Sequence, residues 1–276
     1  MSRTPTCVLT SATEPQAVHG HSPYRFVQIG SLTKVLTGTA LMRMSEVGAL
    51  DIDDPVERWL KVPQDTGITL RHLVDHTAGL PRQPPGLPRR NPYLSFDNAA
   101  LHALLDQLNR ITVRPVGEAR EYSNLGYAVL GAALSIAAKA PYERVVQDYV
   151  LEPLGIREIT SCPPEERCLY ATGVLGRRLR PWALSGAILP AGGMWATPHA
   201  AADLVRRLLV DQELGEPAPT WQTAGKVTWH TGATRNNSVF AGALTNGAWV
   251  LVHRLGGTVA DTDRTGAQLL ARLGKG

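Results

Sequence analysis

A chain of 276 residues, 43% hydrophobic and 19% charged, is long enough to bury one large core and too apolar to be disordered. The net charge of +4 is mildly basic. No helix or strand concentrates the arginines and no aromatics interleave them, which excludes an evident nucleic-acid surface; Arg82, Arg89 and Arg90, and Arg177, Arg178 and Arg180, read as solvated loops. There is no run of 18 apolar residues and so no membrane span. The first residues lack the apolar core of a secretion signal. Cys7, Cys162 and Cys168 are odd in number and lack metal-ligand spacing, so a cytoplasmic protein with free thiols is expected.

In chain order, residues 7–10 and 17–20 are expected as short strands around a turn near Pro15. The stretch 30–48 reads as a buried helix, because Leu32, Val35, Leu36, Ala40, Met44 and Val47 recur at helical spacing. Gly30 turns the chain into it, and Ser31 sits at its first residues, where unpaired N–H groups and the positive dipole end lie. Lys34 follows three residues on, on the same face. A serine hydroxyl beside a lysine shielded from water is an activated nucleophile, since desolvation lets the amine take the hydroxyl proton. The bland alternative is a capping serine with a lysine snorkelling off an ordinary helix, but an apolar helix is a costly place for an idle lysine.

Pro55 starts a short helix to residue 60, and Thr69 caps a helix over 70–76 that Gly79-Leu80-Pro81 stops. The proline-rich stretch 82–92 reads as a loop over a pocket rim. Helices follow at 101–108, at 125–138, whose Gly126, Ala128, Gly131, Ala132 and Ala133 suit close packing, and from Pro141 to 155. Ala191-Gly192-Gly193-Met194 reads as a backbone-permissive turn. Thr197-Pro198 caps and opens a helix through 210. Strands are expected at 226–231, 238–244 and 248–254, the last two joined by the turn Thr245-Asn246-Gly247, before a final helix at 263–273. The fold class this implies is α+β: an antiparallel sheet built from both chain ends (a sheet lobe of about 1–30 and 220–276) with a mainly helical lobe of about 31–219 inserted.

Two further motifs lie downstream of Ser31: Tyr122-Ser123-Asn124 just before a helix, and His230-Thr231-Gly232, followed by Ala233, on a strand. Ser-x-x-Lys, Tyr-x-Asn and His-Thr-Gly in this order resemble the serine β-lactamase and penicillin-binding-protein superfamily. The likeness is to the branch of class C β-lactamases, DD-peptidases and related esterases, and flanks such as 68–81 and 122–127 extend it over most of the chain. The resemblance implies a single β-lactamase-like catalytic domain over 1–276. Ser31 would be acylated, and Lys34 and Tyr122 would share the proton work, a tyrosinate held between two cations serving as base for the deacylating water. Asn124 would hydrogen-bond Lys34 and the substrate amide. His230, where relatives often carry lysine, would join Thr231 and Gly232 in orienting substrate. The backbone N–H groups of Ser31 and Ala233 would form the oxyanion hole. No cofactor or metal is implied; His72 and His76, four residues apart, lack a third ligand, and the Gly-x-Ser-x-Gly elbow is absent at all eleven serines.

The expected function is a serine hydrolase that forms an acyl-enzyme at Ser31 with an ester or amide of a small molecule. The alternatives are an acyltransferase passing the same acyl group to an amine or alcohol, as in natural-product enzymes of this family; a β-lactamase or DD-peptidase; and, from another class, an inactive binding protein. The short segment before Ser31, the compact span between Gly193 and His230, and histidine in place of lysine point away from strict β-lactam or DD-peptide specificity. The expected partner is a small-molecule acyl substrate, with no nucleic acid and no membrane; the oligomeric state is left open.

Overall fold

Strands from the two ends of the chain meet in one sheet. The structure is a computed structural model and describes residues 4–88, 91–173 and 176–275. Its strands are β1 (Thr6–Thr10), β2 (Gln16–Val18), β3 (Val27–Gln28), β4 (Ile159–Thr160), β5 (Trp195–Ala196), β6 (Gln222–Ala224), β7 (Val227–Ala233), β8 (Asn237–Leu244) and β9 (Trp249–Leu255). The main sheet has the order β2-β1-β9-β8-β7-β6 and is antiparallel throughout, with Thr6 of β1 opposite Arg254 of β9. The helices are α1 (Thr33–Glu46), α2 (Leu70–Val74), α3 (Asn98–Leu105), α4 (Leu108–Ile111), α5 (Asn124–Ala138), α6 (Tyr142–Val146), α7 (Leu189–Gly192), α8 (Pro198–Val205) and α9 (Val259–Leu273). This is the expected α+β arrangement, a sheet from both chain ends with helices between. None of the described helices is long and apolar enough to cross a membrane.

Covering both faces of the sheet explains why β8 is buried from Asn237 to Ala243 rather than alternating. On one face α9 lies over Phe240, Val250 and Val252, with Leu270 completing the cluster. Gly266 permits that approach, since a Cβ there would stand 2.1 Å from the Phe240 ring. The other face joins the main core with Val35, Leu36 and Leu41 of α1 and Leu204 of α8. The close packing expected of the small residues near 126–133 is seen at Gly131, where a Cβ would fall 2.1 Å from Pro190 Cγ in α7.

Several local expectations shift. Ser31 lies in a separate 3-10 turn, Gly30–Leu32, and α1 begins only at Thr33. Instead of presenting one apolar face, α1 is buried on every side from Thr33 to Leu41, because it runs through the core between the sheet and the other helices. The expected turn at 191–194 is partly helical, α7 being opened by Pro190 in its first turn. The expected helices ending near 155 and 210 widen into π turns at Gln147–Leu151 and Arg206–Val210. A second sheet, β3-β5-β4, went unforeseen because strands of two residues carry no readable period. Thr69 does cap α2, in a reciprocal box with His72.

A buried histidine pair ties β9 to the chain before β3. The Ser22 N–H donates to His21 Nδ1 at 2.8 Å, and His21 Nε2 faces His253 Nδ1 at 2.9 Å. His253 Nε2 then reaches the Gln28 carbonyl at 3.2 Å. Two neutral rings donating in one direction satisfy this relay.

Candidate active site

Two glycines let β7 run against the turn that carries Ser31. Gly30 has φ +50°, and a Cβ on it would lie 2.7 Å from Ala233 N and 2.6 Å from Ala233 O. A Cβ on Gly232 would meet the Ile29 carbonyl at 2.1 Å and Leu32 N at 3.0 Å. Register then orients the peptide. Thr234 N–H donates to Asn237 O at the end of the β7–β8 hairpin, so the preceding pair, Ala233 and Ser238, is a non-hydrogen-bonded one. The Ala233 N–H therefore points away from β8 to the free edge of β7, since β6 covers only Val227 to Trp229. That edge faces Ser31, the arrangement an oxyanion hole requires.

Lys34 is fully buried in the first turn of α1. Its Nζ donates to the Ala191 carbonyl at 2.5 Å and Asn124 Oδ1 at 2.8 Å, and lies 3.4 Å from Ser31 Oγ. Burial, aided by the positive charge of Arg82, pushes its pKa well below the ordinary lysine value. In its neutral form, an amine whose two N–H groups engage these carbonyls would turn its lone pair to Ser31. Tyr122 donates to the same Oγ at 2.5 Å. Burial raises the Tyr122 pKa to about 12, against the opposing effects of the Ser31 hydrogen bond and Arg82. The resting side chain is thus a phenol at neutral pH rather than the tyrosinate expected between two cations. Asn124 opens α5 behind the cap Ser123, and its Nδ2 donates to the Tyr93 hydroxyl at 2.9 Å.

Ser31, Tyr122, Asn124 and Ala233 line one cavity of about 260 Å³, together with Arg82, Gln83, Tyr93, Trp182, Leu184, Ile188, Gly192 and other residues. Gln83, Tyr93 and Trp182 were not among the residues expected here, although the proline-rich stretch had been read as a pocket rim. Tyr93 donates to Gln83 Oε1 and so ties that rim to Asn124. Arg82, read as a solvated loop residue, stands with its guanidinium 4.9 Å over the Tyr122 ring. Arg89 and Arg90 lie outside the described residues, while Arg178 pairs with Glu165.

Two of the expected orienting residues are placed elsewhere. Side chains alternate along β7, so His230 and Gly232 face the core and Thr231 the opposite side. The Thr231 hydroxyl donates to Asp263 of α9 at 2.9 Å and does not enter the cavity. His230 is buried beneath the site, also outside the cavity lining; burial first, then the Lys34 charge, lowers its pKa to about 3. It therefore supplies no positive charge in place of the lysine common among relatives. Gly232 is not in the cavity lining and lets β7 approach the Ser31 turn. His72 and His76 have structural duties: His72 Nδ1 accepts the Thr69 N–H at 3.2 Å, and His76 Nδ1 accepts the Ser123 N–H at 3.1 Å. His76 also packs 4.6 Å from the Tyr122 ring.

Comparison with known proteins agrees with this fold. A family model described as Beta-lactamase matches residues 12–269. The D-alanyl-D-alanine-carboxypeptidase/endopeptidase AmpH of Escherichia coli (strain K12) is 29% identical over 178 residues, 62% of this chain and 46% of its own. The chain thus spans about half the length of that relative. Among solved structures, the Beta-lactamase/D-alanine Carboxypeptidase from Yersinia pestis superposes with a TM-score of 0.78 at 19% identity, over 99% of this chain and 92% of that one. The D-amino acid amidase from Ochrobactrum anthropi SV3 superposes with a TM-score of 0.73 at 18% identity, over 92% and 86%.

Proposed function

The chain belongs to the Beta-lactamase family, a family of serine hydrolases, and we propose that it hydrolyses an ester or amide of a small molecule through an acyl-enzyme on Ser31. The observation that carries the reading is the convergence on one hydroxyl: Lys34 Nζ at 3.4 Å and the Tyr122 hydroxyl at 2.5 Å from Ser31 Oγ, at the wall of one cavity. Neutral Lys34 takes the Ser31 proton as Oγ attacks the acyl carbon. The N–H groups of Ser31 and Ala233 receive the oxyanion, in a water-poor site where such donors act most strongly. The bond to the leaving group then breaks, and its heteroatom recovers the proton through the Tyr122 hydroxyl, which Lys34 resupplies. Water repeats the sequence on the acyl-enzyme, with Lys34 again as base. A cavity of about 260 Å³ suits a small acyl group.

Intact-protein mass spectrometry after incubation with a fluorophosphonate probe, penicillin G and a p-nitrophenyl ester tests this. The expected result is an adduct on the wild type that Ser31→Ala lacks, and the reagent that acylates narrows the substrate class. A folded protein that takes no adduct from any reagent would overturn the proposal in favour of a binding role.

A further inference from the structure

Arg82 is the one formally charged side chain lining the Ser31 cavity among the described residues. No carboxylate lines the cavity with it, and no ion pair or side-chain hydrogen bond engages its guanidinium within the described part of the chain. The other cations that might serve are withdrawn: Lys34 is buried, its Nζ engaged by the Ala191 carbonyl and Asn124, and His230 is buried, and neither lines the cavity. An arginine exposed at the rim, standing over an aromatic ring, keeps its planar fork of donors free for a carboxylate.

Its position says which part of a substrate it would meet. The ring beneath the guanidinium is Tyr122, whose hydroxyl touches Ser31 Oγ. If that hydroxyl returns the proton to the departing heteroatom, the leaving group lies against Tyr122 and next to Arg82. We propose that Arg82 is a specificity-determining residue that selects acyl substrates whose leaving group carries a carboxylate, received by its guanidinium over the Tyr122 ring. This rests on the acyl-enzyme reading above. The charge is thereby supplied from the loop after residue 81 rather than from β7.

The test compares 3-carboxyphenyl acetate with phenyl acetate, which deliver the same acetyl group to Ser31 and differ in the charge of the phenol expelled. The readout is the ratio of kcat/KM for the anionic ester to that for the neutral one, in the wild type and in Arg82→Gln, Arg82→Lys and Arg82→Glu, each checked for folding by circular dichroism. The wild type is expected to favour the anionic ester by about tenfold. The ratio should collapse in Arg82→Gln, recover partly in Arg82→Lys and invert in Arg82→Glu, and rising salt should erode it in the wild type. A ratio shared by the wild type and Arg82→Gln would overturn the assignment while leaving the hydrolase reading intact. Should neither ester acylate Ser31, the hydrolase reading is judged by the adduct test above, and the carboxylate receptor by binding alone. Calorimetric binding of 3-hydroxybenzoate to Ser31→Ala and to the double variant with Arg82→Gln then decides: weakening by about tenfold supports the receptor, and equal affinity removes it.

Discussion

Four buried histidines make acid the most informative stress on this protein. Burial lowers the pKa of His76 to about 2 and that of His230 to about 3. The paired His21 and His253 are likewise held well below the usual imidazole range, each by its own burial. In the unfolded chain all four would titrate near 6.5. Their folded values are depressed and they are bases. Below 6.5 the unfolded state therefore takes up protons that the folded state refuses, and stability falls as the pH falls, until the folded pKa values are reached. Between pH 7 and pH 5 each such histidine costs about 2 kcal/mol, so four together remove roughly 8 kcal/mol. Set against a total of about 5–15 kcal/mol for an ordinary domain, that is enough to bring it close to unfolding. Lys34, depressed from 10.5 by burial, adds to the slope in the same direction. Urea denaturation followed by tryptophan fluorescence at pH 7, 6 and 5 measures the slope, and a His21→Asn, His253→Asn double variant should flatten it by about half. A wild-type loss under about 2 kcal/mol across that range, one histidine's share, would refute the reasoning.

Further outcomes concern the site directly. Lys34→Met should lower the acylation rate by about 10²–10⁴-fold, the usual loss on removing a general base, in pre-steady-state measurements with a p-nitrophenyl ester. In the wild type that rate should fall as acid protonates Lys34, at a pH well below the ordinary lysine value, with the folded state monitored separately by circular dichroism. Tyr122→Phe removes the donor 2.5 Å from Ser31 Oγ; acylation should drop by about 10²-fold, and more for a poor leaving group such as an anilide than for p-nitrophenolate, which departs unprotonated. Gly232→Ala drives a Cβ to 2.1 Å from the Ile29 carbonyl, a backbone atom that can yield only if β7 withdraws. A loss of about 1–3 kcal/mol in thermal denaturation is expected, together with a fall in kcat that outstrips any change in KM.

The proposed nucleophile and base were legible because their spacing is a local matter: Ser31 and Lys34 are one turn apart however the rest folds, and Asn124 does meet Lys34 across 90 residues of chain, as the motif implied. What escaped reading depends on which face of an element is covered. His-Thr-Gly looks alike whether its histidine opens on a cavity or is sealed beneath one, and only the docking of β7 on the Ser31 turn decides. Likewise Arg82, Gln83 and Tyr93 sit in a proline-rich stretch without period. Their convergence on Asn124 and Tyr122 comes from the loop folding back over α5, which no sequence pattern records. The burial of α1 on all sides erased the amphipathic signature for the same reason: amphipathicity reports a surface helix, and this one threads the core.

The pairing of β1 with β9, and of the Ser31 turn with Ala233, also fixes when activity arises. On a ribosome Ser31 is made some 200 residues before β7, the strand that would complete its oxyanion hole, and the sheet closes only once β9 is free of the exit tunnel. Contacts of such long sequence separation form slowly, after the local helices. The nascent protein therefore carries Ser31 and Lys34 through synthesis in a disarmed state, the lysine still wet and protonated. Both mature together once the sheet closes, when burial lowers the pKa of the amine and β7 arrives alongside.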